Sequence, residues 1–201
     1  MSVSTPSSEA TAPLPPDARA LLDFWFGAPG TPEHGTFRDL WFARSDAFDA
    51  QLRDRFGALY ARAKAGDLNG WAATPHGALA LILLLDQVPR NIHRGTPAAF
   101  ATDAQALDVA KQALRDGHDQ ALAPMERLFL YMPFQHSEDG VEQERSLALY
   151  ERLGIEDAQK SADRHHEIVA RFGRFPHRNA VLGRETTEEE RAFLQEPNSS
   201  F

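Results

Sequence analysis

Residues 78–85 read ALALILLL, an unbroken apolar run that leaves no polar face on any regular element. A helix that is apolar all round has to be surrounded by other elements, and this run is far too short to cross a bilayer. The rest of the chain must therefore supply the surroundings. Its punctuation predicts more helices, because strand-like alternation and β-branched runs are almost absent.

Pro15-Pro16 and Gly27 bound a helix over residues 17–26, with Leu21, Leu22 and Trp25 as its apolar stripe. The loop GAPGTPEHG follows, then a short helix over 36–42 expected to bury Phe37, Leu40 and Trp41. Ser45 can cap a long helix to about Ala65. Thr74-Pro75 opens the apolar helix, which Pro89 ends or kinks. Thr102-Asp103-Ala104-Gln105 matches a capping box for a helix to about Asp116. Pro124 opens a helix to Met132, before Pro133; Ser137 can cap one over 138–153; another runs over 156–172. Thr186 or Thr187 starts a last short helix to about Gln195. The fold class is all-α: a tetratricopeptide-like array or bundle of antiparallel helices, although no second copy of a repeat is found in the sequence. Residues 1–15 read as a disordered leader, 16–196 as a single helical domain, and 197–201 as a frayed tail.

A net charge of -8 argues against broad binding to nucleic acid or anionic lipid. It leaves room for a small anionic ligand, since local potential decides that. Without cysteine there is no disulfide, thiol chemistry or Cys-based metal site. No secretory signal is present, so a cytoplasmic location is expected. HExxH, EF-hand, phosphate-loop and dinucleotide motifs are all missing, as is a nucleophile elbow. No cofactor and no metal are expected.

LALILLLDQVPRNIHRG, FATDAQAL, ERLFLYMPFQHSEDGVEQERSLALYERL and HHEIVARFGRFPHRNAVLGRETTEEERAFL, with FWFG and Trp41-Phe42 nearer the start, resemble the domain of unknown function 924 family. The resemblance runs from about Asp17 to Leu194 and implies an all-helical, tetratricopeptide-like fold. It implies no activity. Val88 stands where the family has Phe or a larger apolar residue. The motif polar residues fall on Asp86, Gln87, Arg90, Asn91, Arg94, His136, Ser137, Glu138, Gln143, His165, Arg171, Arg174, His177, Arg178 and Asn179.

Two stretches without a carboxylate, 87–102 and 168–183, lie just past helix ends in an acidic chain. They hold Arg90, Arg94, Arg174 and Arg178, which could clamp a carboxylate or phosphate with Asn91 and Asn179 beside them. The plainer alternative is that these arginines pair with acids such as Asp86 and Glu138 and cap helix ends. Arg171 follows Glu167 by four residues, which suits a surface helical pair. His165 shares a face with Ile168 and Phe172 and reads as a core histidine with one nitrogen satisfied. His136 and His177 fall on loops, where with Glu138 they could form an acid–base group. Asp86 ends the apolar helix, and a carboxylate there needs a cation or several donors. Pro89 disturbs its spacing to Arg90, so Arg174 or Arg178 is an equal candidate partner.

Three functions follow. The first is binding of a small anionic molecule or peptide terminus through Asp86, Arg90, Asn91, Arg94, Arg174, Arg178 and Asn179. The second is a hydrolase-type enzyme using His136, Glu138 and His177. The third is a protein-interaction module whose polar motifs only hold loops.

Overall fold

The computed structural model describes residues 13–201, so most of the proposed leader lies outside the described residues. Helices α1 (Pro16–Phe26) and α2 (Asp46–Lys64) come first. The next two are α3 (Pro75–Ile82) and α4 (Val88–Ile92), joined by a π-helical turn over Leu83–Gln87. The longer helices α5 (Asp103–Arg115), α6 (Pro124–Gln135), α7 (Gly140–Leu153) and α8 (Glu156–Phe172) follow. Two short ones, α9 (Asn179–Leu182) and α10 (Glu188–Phe193), close the chain. No strand occurs among the described residues, and no helix there is long and apolar enough to cross a membrane.

The apolar run does what its composition requires. Every residue from Gly77 to Val88 is buried, because α3 is packed on by α1, α5, α6 and the 3₁₀ segment Asn69–Ala73. Large aromatics fill the space between α1, α2 and α6: the Trp25 and Phe129 rings meet edge to face with centroids 5.5 Å apart, and Trp41 meets Phe129 at 4.9 Å. From α5 to α8 each helix packs on the next. A smaller apolar cluster of Ile168, Val169, Phe175 and Phe193 fastens the C-terminal segment to α8.

Local chemistry sets most helix ends as expected. Ser45 Oγ accepts from Phe48 N at 3.2 Å, and Thr187 with Glu190 forms a reciprocal capping box. Several ends differ. Residues 36–42 yield only a 3₁₀ turn, Asp39–Trp41; Trp41 is buried while Phe37 and Phe42 face solvent. The cap of α7 is Asp139, whose Oδ1 accepts from Val141 N at 2.8 Å, and Ser137 instead accepts from Asp139 N. Thr102 precedes α5 without capping it, since its hydroxyl donates to the carbonyl of Leu85. Helix α6 continues through Pro133 to Gln135, which keeps Gln135 and His136 on a rigid element. Arg171 pairs across to Glu189 at 2.9 Å, while Glu167 pairs with Arg164.

Gly77 lies where α3 starts under the Asn69–Ala73 turn. A Cβ there would overlap the Trp71 carbonyl oxygen and the Thr74 hydroxyl. Gly77→Ala is expected to lower unfolding stability in urea by about 1–3 kcal/mol, the usual range for overpacking against backbone. Gly70→Ala, with open space around its Cβ position, serves as the reference.

Candidate functional site

Pro89 is the local origin of the site. A proline lacks an N–H and its ring crowds the carbonyl four residues back, here Leu85. The chain responds with the π-helical turn, in which Val88 N bonds to Leu83 O. Side chains then serve the carbonyls of this turn. Thr102 Oγ1 donates to Leu85 O, Arg90 Nη1 to Asp86 O at 2.7 Å, and Asn91 Nδ2 to Gln87 O at 3.0 Å.

Asp86 is fully buried beneath this turn. Its Oδ1 accepts from His136 Nδ1 at 2.8 Å and from Arg90 Nη1 at 3.2 Å; its Oδ2 accepts from Gln87 Nε2. Burial opposes its charge, but Arg90 and His136 outweigh that and hold the carboxyl below its ordinary range. Arg90 also grips both oxygens of Asp103, at 2.8 and 2.9 Å. Of the candidate partners for Asp86, the turn around Pro89 thus brings Arg90 within reach, and neither Arg174 nor Arg178 pairs with it.

His136, on the last turn of α6, is mostly buried, and burial followed by the charge of Arg90 depresses its pKa. With Nδ1–H given to Asp86, the neutral ring keeps its Nε2 lone pair free to accept a proton. His165 is held down to about 2, chiefly by burial and then by His136. Its Nδ1 must donate to Ser161 O, 2.8 Å away, so its Nε2 accepts and faces the Gln135 amide nitrogen at 3.5 Å. His177 is held down to about 4 by burial and by Arg178. Arg178 is itself lowered to about 10 by burial and by Arg90. Asp103 Oδ2 lies 3.5 Å from Arg178, already engaged by Arg90, and Arg178 Nε is buried with no hydrogen-bond partner. Its guanidinium sits over the rings of Phe175, at 4.4 Å, and Phe100, at 4.8 Å.

These groups meet at one cavity of about 540 Å³. Its wall includes Gln87, Arg90, Asn91, Arg94, Gln135, His136, Ser161, His165, His177 and Arg178. Phe201 lines it as well, stacked on His165 with centroids 3.6 Å apart, so the segment expected to fray ends against the site. Among the described residues no group of three or more His, Asp or Glu is placed to hold a metal ion.

The structure divides the residues singled out from sequence. Asp86, Arg90, Asn91, Arg94, His136, His177 and Arg178 converge on or just behind this cavity. Arg94 reaches it while forking onto Asp49 at 3.0 and 3.1 Å. Arg174 and Asn179 do not line it: both bind Glu190, Arg174 at 2.6 and 2.8 Å and Asn179 at 3.2 Å, which locks α10 to the turn before α9. That grip holds the Glu190 carboxyl down to about 2. Glu138 is likewise taken, by Arg184 at 2.7 and 3.0 Å and by Phe175 N at 2.8 Å, so it does not join His136 and His177. The four arginines of the expected clamp each have a carboxylate within 3.5 Å. What remains under-compensated is Arg178. Gln135, Ser161 and Asp103 join the site without a sequence signal; Asp103 had read as the second residue of a capping box.

An all-helical protein with a buried Asp–His pair at the wall of a polar cavity is the class that fold and site define. A family model described as a bacterial protein of unknown function, domain of unknown function 924, matches residues 21–198, and the chain belongs to that family. It is similar to a solved structure of a protein of unknown function, ATU0120, from Agrobacterium tumefaciens. The two share 44% identity over 89% of this chain and 96% of that one, with a TM-score of 0.81. No curated protein matches.

The depressed histidines give a pH prediction. His165 and His177 titrate below about 6.5 when folded and near 6.5 when unfolded. The unfolded chain then binds more protons between those values, so their stabilisation is present above pH 6.5 and is lost as pH falls. His177→Gln is expected to reduce the loss of unfolding free energy between pH 6.5 and 5 by up to about 2 kcal/mol, read by urea titration at both pH values.

Proposed function

We propose that this cavity is an acid–base site for a small anionic molecule, with hydrolytic chemistry as the reaction class. The observation that carries the reading is the 2.8 Å hydrogen bond from His136 Nδ1 to buried Asp86 at the wall of a 540 Å³ cavity. A carboxylate so placed fixes the imidazole tautomer and supports the imidazolium that forms when Nε2 takes a proton. Arg178, short of hydrogen-bond partners and beside an acid it shares with Arg90, is the group suited to the ligand's anionic end. None of the hydrogen bonds among the described residues joins a Ser or Thr hydroxyl to His136. Water is therefore the nucleophile of this proposal, and His136 its general base. Within the same proposal, α5 to α8 form a stack of antiparallel helix pairs of the tetratricopeptide kind, supported by each helix packing on its successor. A cytoplasmic setting accompanies it, supported by the absence of cysteine.

A panel of carboxylic and phosphoric esters and amides bearing an anionic group tests the reading. Turnover by the native protein is expected to fall about 10²–10⁴-fold in His136→Gln, the usual worth of a general base. Arg178→Lys is expected to raise KM more than it lowers kcat. Equal turnover in the native protein and His136→Gln would overturn the proposal.

A further inference from the structure

The polar cavity has an apolar neighbour of about 510 Å³. Phe42, Met132, Gln135 and Ser161 belong to the walls of both. Beyond them the second cavity is lined by Phe37, Met125, Leu128, Tyr150, Ile155 and Ala158. Its charged lining residue is Asp157, whose carboxylate is 94% exposed and lies 3.3 Å from Lys160, so it sits at the rim. Polarity therefore changes across one short seam, from histidines and arginines on one side to aliphatic and aromatic side chains on the other.

Two features of this seam point to what crosses it. Phe37 and Phe42 are 58% and 57% exposed, with their rings stacked 5.7 Å apart. Their loop is held in place by Trp41, whose Nε1 donates to Trp25 O at 2.9 Å. Apolar surface fixed in water beside an apolar cavity gains by being covered. The second feature is Gln135, 5% exposed and shared by both walls. Its amide nitrogen is committed to Ser161 Oγ at 3.1 Å and faces the accepting Nε2 of His165, which leaves Oε1 buried with no partner. That oxygen lacks a donor, and buried acceptors normally have one.

We propose that the molecule this site takes is amphipathic: an anionic head in the His136–Arg178 cavity, an unbranched acyl chain in the apolar cavity, and an amide N–H at the junction for Gln135. This rests on the acid–base reading and narrows its substrate to acyl amides of small carboxylates. Hydrolysis at that junction would add water across the acyl C–N bond, releasing a carboxylate and an amine. His136 would take the proton from water and return it to the leaving nitrogen.

N-acylglycines carrying two, four, six, eight and ten acyl carbons are the probes, with binding to the full chain followed by calorimetry. The dissociation constant is expected to fall about fourfold per added methylene until the apolar cavity is filled. Ala158→Phe, at a partly buried wall position, is expected to flatten that dependence, and Phe37→Ser, at an exposed one, to weaken the longest members several-fold. Circular dichroism and thermal unfolding check that both variants fold. Affinity that does not change with chain length, with N-acetylglycine still bound, would overturn this inference and leave the acid–base reading standing. The same length dependence in both folded variants as in the native protein would also overturn it, as adsorption elsewhere. Binding of no member of the series would overturn this inference too, and would leave the acid–base reading to its own turnover test.

Discussion

Asp86 is a carboxylate with no exposed surface at the end of the most apolar helix in the molecule. An ionised group in that position is tolerated only with close cationic and hydrogen-bonding partners, and much of the surrounding architecture supplies them. Arg90 comes from the same helical rod, His136 from the end of α6, and Gln87 from the next residue. Asp103, from the first turn of α5, holds Arg90 in place from behind. Three separate segments are thus tied to one buried oxygen pair. Removing Arg90 would leave the Asp86 charge without its cation in a low-dielectric core, which is far costlier than losing an exposed ion pair.

Pro89 shapes this arrangement. Pro89 releases the Leu85 carbonyl from the helical ladder, and the π-helical turn brings the Arg90 side chain back over Asp86. Thr102 then bonds to the released carbonyl and so fixes the entry to α5, where Asp103 begins. Helix α6 runs on through Pro133 to Gln135 despite the backbone donor that a proline lacks, which carries Gln135 and His136 to the cavity on a helix rather than on a loop. A rigid mounting matters for an acid–base group, because small displacements of a proton acceptor cost much of its effect.

Chemistry and support are separated on the C-terminal segment. Arg174 and Asn179 close on Glu190, and Arg184 closes on Glu138, so these groups secure the segment and are saturated by it. Arg178, between them, is directed to the cavity and is left with half an acid and an unbonded Nε. The stretch therefore contains a structural clasp and a recognition group side by side, with similar residues in both roles.

Most helix starts and the central position of the 78–85 run were legible in the sequence, because they depend on local signals: caps, glycine stops and apolar periodicity. The convergence of Asp86, Arg90, His136, His177 and Arg178 was legible only as a possibility. The acid-free stretches were real, but the acids that answer them come from afar: Arg94 from Asp49, 45 residues away, and Arg178 from Asp103, 75 residues away. Ion pairing acts through space, so a charge census along the chain cannot tell an open clamp from a closed one. The same holds for Gln135 and Ser161, ordinary helical residues until packing sets them across from His165. Sequence by itself determined that this protein is helical around a wholly apolar centre, since caps, glycine stops and the lack of strand alternation left helices as the elements that could bury that run. Tertiary structure alone decided which polar groups are spent on holding the fold and which remain free at the cavity wall, because that depends on which side chains meet across helices.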